Sequence, residues 1–167
     1  MIGYPTEAVW GLGCDPFQAE AVERLLRLKQ RPVEKGLILV AASMEQLQPL
    51  LRALSRAQRA ELELSWPGPT TWLVPDPDGL IPPWIKGQHT SVAVRVSAHN
   101  QVATLCKAFG GPLVSTSANL AGIEAARSAI EVRQAFGHQL DFLLSGTLGG
   151  QEHPSVIRDL SSGRVLR

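Results

Sequence analysis

The sequence predicts a single α/β domain built on a mixed, twisted β-sheet. Short apolar runs that suit buried strands alternate along the chain with segments of helical periodicity, which is the pattern of α/β proteins. The length of 167 residues is that of one domain with a full hydrophobic core. Near the end of the chain, Ser155–Leu160 and Arg164–Leu166 flank the turn Ser161–Gly163. That spacing predicts a hairpin, so at least one pair of strands is antiparallel.

The first elements surround a short polar sequence near the start of the chain. Ile2–Tyr4 is apolar enough for the end of a strand, and Pro5 interrupts strand pairing after it. Thr6 and Glu7 are therefore expected where a strand ends, which is where open α/β sheets usually present ligand-binding groups. We interpret Glu7 as a structural carboxylate that organises the turn. Gly11–Gly13 predicts a glycine-bearing loop.

An amphipathic helix is predicted next. Apolar residues recur at helical spacing over Gln18–Gln30. Pro32 disfavours helical geometry at Arg31 and ends the helix. Lys29 and Arg31 are therefore expected at its carboxyl end, one residue apart.

The rest of the chain continues the alternation of strands and helices. Strands are predicted at Leu37–Ala41, Thr71–Val74, Ser91–Val96, Pro112–Ser115, Asp141–Leu144 and Ser155–Leu160. Capping boxes predict helices that begin after Ser43, Ser55 and Ser128 and run to about Leu51, Leu64 and Ala135. A further helix over His99–Phe109 and a loop over Asp76–His89 are predicted from periodicity and from proline and glycine content.

Composition narrows the classes of function. The formal net charge of +1 gives no overall field that would attract nucleic acid. Two cysteines make no disulfide framework and the four histidines lack metal-ligand spacing, so we expect no structural metal. No long apolar run or signal peptide is present, so we expect a cytoplasmic protein without membrane contact. The chain has no Gly-x-x-x-x-Gly-Lys-Ser/Thr sequence, so a P-loop is not predicted. The Rossmann motif Gly-x-Gly-x-x-Gly is also incomplete, because Asp15-Pro16 stands after Gly11-x-Gly13 where its third glycine would complete it.

The candidate functional residues are cationic and hydroxyl-bearing. The cations are Lys29, Arg31, Lys35 and Arg95, and the short hydrogen-bonding side chains are Ser115, Ser117, Asn119 and Ser155. Nucleotidyl transfer relies mainly on positioning and on electrostatic stabilisation of phosphate oxygens, which these groups can supply. Two structural interpretations remain open from the residues alone. The first two cations could balance a helix dipole, and the serines could form an ordinary turn.

Several separated motifs together indicate a family. Pro5-Thr6-Glu7, Gly11-Leu12-Gly13, Lys29-Gln30-Arg31-Pro32 and Ser115-Thr116-Ser117-Ala118-Asn119 follow one another in that order. This set resembles the YrdC-like family, and in particular its short bacterial branch, over Ile2–Arg167. The resemblance implies one YrdC-like domain over residues 1–167, with a strongly twisted mixed sheet, flanking helices and a concave ligand-binding face. Family members usually carry a helix and the start of a strand ahead of the Pro-Thr-Glu motif, so we expect this sequence to lack that segment.

The resemblance also implies an activity. L-threonine and bicarbonate or CO2 would form N-carboxythreonine, whose carboxylate attacks the α-phosphate of ATP. The products would be threonylcarbamoyl-AMP and pyrophosphate, with Mg2+ accompanying the ATP. The adenylate would pass to a separate tRNA threonylcarbamoyl transferase complex that modifies A37 of tRNAs reading ANN codons. A weak contact with tRNA is also expected.

The family's site residues map onto positions of this chain that match its motifs. Lys29 and Arg31 correspond to the Lys-x-Arg pair that contacts the triphosphate, and Arg95 is expected near the threonine carboxylate. The other substrate-binding positions are Thr6, Lys35, Ser115, Ser117, Asn119, Ser155 and Arg167. Ala8 and Val40 stand where longer relatives have a threonine and a histidine that contact substrate, so threonine recognition should differ in detail.

Two other classes of function remain open. One is an RNA-binding module without chemistry, since the concave face of the family is basic. The other is a carbamoyl-adenylate-forming domain of the hydrogenase-maturation type, which would use carbamoyl phosphate.

Overall fold

A computed structural model describes residues 1–167 as eight strands and six α-helices around one sheet. The strands are β1 Ile2–Pro5, β2 Trp10–Gly13, β3 Ile38–Ala41, β4 Thr70–Pro75, β5 Ser91–Val96, β6 Leu113–Ser117, β7 Phe142–Leu143 and β8 Val156–Asp159. The helices are α1 Ala19–Lys29, α2 Gln48–Leu51, α3 Arg56–Ser65, α4 Pro83–Lys86, α5 Asn100–Phe109 and α6 Ala129–Phe136. Single 3₁₀ turns occupy Val33–Lys35, Met44–Leu47 and Gly137–Gln139.

The sheet is mixed, as predicted. Its strand order is β7-β1-β2-β6-β3-β5-β4-β8. Three neighbouring pairs are parallel, namely β1 with β7, β3 with β5 and β4 with β8, and the other four are antiparallel. The predicted fold class, an α/β domain with a mixed sheet flanked by helices, is therefore confirmed.

The two faces of the sheet differ in chemistry, and β5 shows the difference most clearly. Val92, Val94 and Val96 are buried in the main core. Ser91, Ala93 and Arg95 alternate with them and line a cavity on the opposite face, because successive side chains of a strand point to opposite sides. At one end of that opposite face, α5 covers a smaller apolar cluster of Tyr4, Val40, Val102, Cys106 and Leu113.

The helix ends confirm two of the three predicted capping boxes. The side chains of Ser55 and Ser128 each accept from the backbone N–H three residues later. The side chain of that later residue, Gln58 or Glu131, accepts in turn from the backbone N–H of the serine. At Ser43 the prediction was wrong, since its side chain makes no capping bond. The nearby Gln46 instead accepts from Ala42 N and donates to Cys106 O, which ties the segment to α5.

Two segments predicted as irregular belong to regular structure. Gly11–Gly13 is part of β2 rather than a loop, and a Cβ on Gly13 would lie 2.5 Å from Val114 O and 2.9 Å from the Tyr4 ring. The close approach of this backbone oxygen and of the ring, not a turn, explains this glycine. Ser115–Ser117 likewise continues β6, where Ser117 pairs with Gly11.

The remaining differences are smaller. The predicted loop Asp76–His89 contains the short helix α4. The predicted C-terminal pairing is present through the bridge between Arg158 and Val165, but it adds no ninth strand. No helix has both the length and the apolar character needed to cross a bilayer.

Candidate active site

A cavity of about 440 Å³ occupies the polar face of the sheet. Its walls come from the turn after β1, the segment after α1, the strands β4–β6 and the residues around Ser155. Eight of the ten residues predicted to form the site line this cavity: Thr6, Arg31, Lys35, Arg95, Ser115, Ser117, Ser155 and Arg167. Lys29 and Asn119 do not line it.

The segment after α1 is held by the side chain of Arg31. Gln30 adopts a left-handed conformation (φ 51°) that ends the helix, so the chain turns toward the cavity. The guanidinium of Arg31 donates from Nε and from one terminal nitrogen to Gly36 O, at 3.2 and 3.0 Å. The same terminal nitrogen also lies 3.4 Å from Lys35 O, and both Arg31 and the exposed Lys35 line the cavity.

Lys29 lies behind the cavity wall. Its side chain is buried, and its ammonium donates to the carbonyl oxygens of Ser117 and Asn119 and to Asn119 Oδ1. These three acceptors match the three N–H donors of an ammonium. Burial, with a smaller contribution from the Arg31 guanidinium, lowers the pKa of Lys29 to about 8.

Asn119 is also committed to internal contacts. Its Oδ1 accepts from the Ser117 hydroxyl at 2.6 Å and from Lys29, and its Nδ2 donates to Ile123 O at 2.7 Å. The Ser117 hydroxyl gives its proton to Asn119, so the lone pairs of its oxygen remain for other partners. Lys29 and Asn119 thus fix the end of β6 from behind.

The single carboxylate of the cavity is paired. Glu7 Oε2 lies 2.9 Å from a guanidinium nitrogen of Arg95, and Glu7 Oε1 accepts from Ser97 Oγ at 2.7 Å. Burial acts to raise the pKa of Glu7, but Arg95 and Ser97 hold it below its ordinary value. Glu7 is therefore ionised and structural, as interpreted from the sequence. Arg95 lines the cavity, and its Nε is buried without a protein partner.

The opposite wall carries the predicted serine and the C-terminal arginine. Ser155 Oγ lies 2.8 Å from Thr71 Oγ1. Arg167 donates to Ser155 O from two nitrogens, at 3.3 and 3.0 Å, which brings its guanidinium to the rim. Thr6 donates to Val9 O at 2.6 Å and so shapes the turn between β1 and β2.

The charge of the cavity suits a polyanion. Its lining contains the five cations Arg31, Lys35, Lys86, Arg95 and Arg167, but only one carboxylate, Glu7. Sequence reasoning missed Lys86, because it lies in a segment predicted as a loop and belongs to none of the motifs. It also gave no role to His89 and His153, which line the cavity as well.

The lining offers no activated nucleophile of its own. Cys14 and Cys106 are buried outside the cavity, and burial raises the pKa of each thiol to about 11. The Ser117 hydroxyl donates to an amide rather than to a base. A reaction here would therefore join two bound substrates, with the protein supplying position and charge.

No group of three or more His, Cys, Asp or Glu side chains is arranged to hold a metal ion. Mg2+ at phosphate-transfer sites is commonly bound through substrate phosphates and water. The residues present therefore fit a magnesium ion that arrives with a nucleotide better than one held by a protein cage.

Comparison with known proteins places the chain among relatives of one kind. The model of the Sua5/YciO/YrdC family, described as telomere recombination, matches residues 1–167. A threonylcarbamoyl-AMP synthase of Cellvibrio japonicus is 57% identical over 100% of this chain and 88% of its own length. The protein of the same name from Chromohalobacter salexigens is 59% identical, with 89% of its own length covered.

Solved structures give the same fold. Pyrococcus abyssi Sua5 complexed with L-threonine superposes with a TM-score of 0.91 at 31% identity, over 99% of this chain. This chain spans about half of that protein, since 49% of it is covered. E. coli YciO superposes with a TM-score of 0.85 at 24% identity over 99% of this chain and 81% of its own, which is a likeness of fold.

Proposed function

The chain belongs to the Sua5/YciO/YrdC family, and on that premise we propose that it is a threonylcarbamoyl-AMP synthase that acts as a nucleotidyltransferase. The observation that carries the proposal is the cavity itself, in which five cations face one paired carboxylate. The relatives that share more than half of its residues over its whole length bear this name.

In the proposed reaction, the amino nitrogen of L-threonine first forms a bond to the carbon of CO2 with loss of a proton, or to that of bicarbonate with loss of water, which gives N-carboxythreonine. One oxygen of its carboxylate forms a bond to the α-phosphorus of ATP. The bond from that phosphorus to the bridging oxygen breaks, and pyrophosphate leaves with the electron pair. The protein groups provide charge for the phosphate oxygens and fixed positions for the two reactants.

The proposal gives each of these groups a part in the reaction. Arg31 and Lys35 would bind the β- and γ-phosphates, where negative charge grows as pyrophosphate leaves. Ser115 and Ser117, at the end of β6, would bind the α-phosphate. Arg95, held by Glu7, would bind the threonine carboxylate, and Thr6, Ser155 and Arg167 would complete the wall around the nucleotide. Lys29 and Asn119 would act by holding the end of β6.

The cellular setting is part of the proposal. The product would be passed to a tRNA threonylcarbamoyl transferase complex in the cytoplasm for the modification of A37. Mg2+ would be carried by the ATP phosphates and would shield their charge during transfer.

A pyrophosphate-release assay with ATP, bicarbonate and each amino acid in turn tests the proposal. We expect release that depends on threonine and on bicarbonate. Release with carbamoyl phosphate in place of threonine and bicarbonate would favour the hydrogenase-maturation type of chemistry. No release, together with tight and sequence-selective tRNA binding at about 0.2 M salt, would favour the RNA-binding module, because nonspecific binding is screened at that concentration.

A further inference from the structure

Lys86 is a cavity residue to which the proposed mechanism gives no part. It ends α4, its side chain is 15% exposed, and it lines the cavity with Arg31 and Lys35. Its ammonium lies 2.7 Å from Asp76 Oδ2, and the carboxylate of Asp76 is fully buried. A buried carboxylate held in this way requires compensation, so the pair is a fixed feature of the wall.

Asp76 is compensated by more than the lysine. Its Oδ1 accepts from Leu80 N at 2.8 Å, and its Oδ2 accepts from Ile81 N at 3.0 Å as well as from Lys86. Burial acts to raise the pKa of Asp76, but Lys86 and these two backbone N–H groups hold it below its ordinary value. Because two peptide dipoles share the carboxylate charge, the positive charge of Lys86 is only partly neutralised.

The donors of Lys86 are also mostly unused. The ammonium of Lys29 makes three hydrogen bonds, whereas the ammonium of Lys86 makes one, to Asp76. An ammonium carries three donors, so Lys86 has two left for a ligand in the cavity.

The position of Lys86 relative to Lys35 is fixed by backbone contacts. Leu37 N donates to Ile85 O at 2.8 Å, and Gln88 N donates to Glu34 O at 3.2 Å. Gly87 has φ +64°, and a Cβ there would lie 2.4 Å from Glu34 O, so the two segments touch without a side chain between them. Lys86 therefore lies on the same side of the cavity as Arg31 and Lys35.

We infer that Lys86 is a further phosphate-binding residue, oriented by Asp76, which contacts the terminal phosphates of the nucleotide beside Arg31 and Lys35. The inference rests on the proposed function, since it assumes that a triphosphate occupies this cavity. Asp76 is a positioning residue in this arrangement, because it touches Lys86 and not the ligand.

Calorimetric titration with inorganic pyrophosphate tests the inference without turnover. Lys86→Gln removes the charge but keeps an amide that can donate to Asp76. We expect it to weaken pyrophosphate binding by about tenfold, the size of one charge-assisted hydrogen bond. Lys107→Gln is the matched control, because Lys107 is exposed on α5 and lies outside the cavity. It should leave binding unchanged.

The Asp76→Asn variant distinguishes a contact between Lys86 and phosphate from a role of the Lys86–Asp76 pair in holding the loop. If Lys86 binds phosphate and Asp76 orients it, Asp76→Asn should weaken pyrophosphate binding less than Lys86→Gln does, because the ammonium charge is kept and the asparagine amide oxygen can still accept from it. Equal weakening in Asp76→Asn and Lys86→Gln, with an equal fall in melting temperature, would mean that the pair only holds the loop, and would overturn the inference.

Two further results keep the inference separate from the proposed function. If the unaltered protein does not bind pyrophosphate, the proposed function fails and the inference fails with it. If it binds and Lys86→Gln binds equally well, only the inference fails. Should the variants not fold, a crystal structure of the unaltered protein with pyrophosphate decides, because Lys86 Nζ must then lie within hydrogen-bond distance of a phosphate oxygen.

Discussion

Lys29 and Arg31 are separated by a single residue in the sequence, yet only one of them faces the cavity. Arg31 lines it, whereas Lys29 is 4% exposed and bound to three oxygens of the Ser117–Asn119 segment. The second motif divides in the same way, since Ser117 lines the cavity and Asn119 supports it from behind. Each motif thus supplies one residue to the cavity lining and one to the layer behind it. A change at a lining residue should alter activity more than stability, and a change in the supporting layer should alter both.

The largest effect is expected at Arg31, on the cavity side. Arg31→Ala should lower the rate of threonine-dependent pyrophosphate release by about 30- to 1,000-fold, which corresponds to about 2–4 kcal/mol of transition-state stabilisation. The melting temperature should fall less than in a variant of Lys29, because the bonds from Arg31 to Gly36 O are only partly buried and water can replace them. Arg31→Lys should also be impaired, since it keeps the charge but loses the planar fork. Near-normal synthesis of threonylcarbamoyl-AMP by the alanine variant would remove Arg31 from the mechanism.

Lys29→Met should have the next largest effect, and of a different kind. It removes all three hydrogen bonds of the ammonium to the Ser117–Asn119 segment, so we expect the free energy of unfolding to fall by about 1–3 kcal/mol, together with a loss of activity. Denaturant titration and the pyrophosphate assay measure the two effects. In the double variant with Asn119→Ala, the two losses should not add, because both residues hold the same segment. Fully additive losses, or a loss of activity with unchanged stability, would place Lys29 at the ligand instead.

The pH dependence of stability reports on Lys29 without a substitution. Its pKa in the folded protein is about 8, below the ordinary lysine value of 10.5, so between these two pH values the unfolded chain binds more protons. The free energy of unfolding should therefore gain about 1–3 kcal/mol from Lys29 as the pH rises through this window, since one pKa unit is worth about 1.4 kcal/mol. Activity should fall over the same range, because the amine loses one of its three donors. Subtracting the pH profile of Lys29→Met isolates this gain, and a flat difference would contradict it.

The sequence predicted helices and their caps better than it predicted which residue of each motif lines the cavity and which lies behind it. The helical spacing that ends at Lys29 and the capping boxes at Ser55 and Ser128 depend on neighbours along the chain, and the structure has them. The burial of Lys29 depends on Ser117 and Asn119, about ninety residues away, and no local pattern encodes such a contact.

Other features were missed because they also depend on contacts between residues that are far apart in the sequence. Gly11 and Gly13 were taken as loop residues because glycine adopts backbone conformations that other residues avoid. At Gly13 the absence of a side chain is instead required by Val114 O and the Tyr4 ring, which lie on the two neighbouring strands. Lys86 was not recognised because its place at the cavity depends on the contact between Gly87 and Glu34. Each miss concerns a residue whose role is set by a partner on another element.

The smallest effect is expected at Ser55, which lies outside the cavity lining, and it should be a loss of stability without a loss of activity. The Ser55 side chain accepts from Gln58 N, and the Gln58 side chain accepts from Ser55 N, so the first turn of α3 has both of its capping bonds. Ser55→Ala removes one of them and should lower the free energy of unfolding by about 1 kcal/mol. Ser43→Ala is the matched control, because Ser43 precedes a similar sequence but makes no capping bond. Thermal melts should therefore separate the two serines, while both variants keep full threonine-dependent pyrophosphate release. A loss of activity in Ser55→Ala would mean that a loss of stability outside the cavity is enough to lower activity. The combined loss of activity and stability expected for Lys29→Met would then not show that Lys29 supports the cavity.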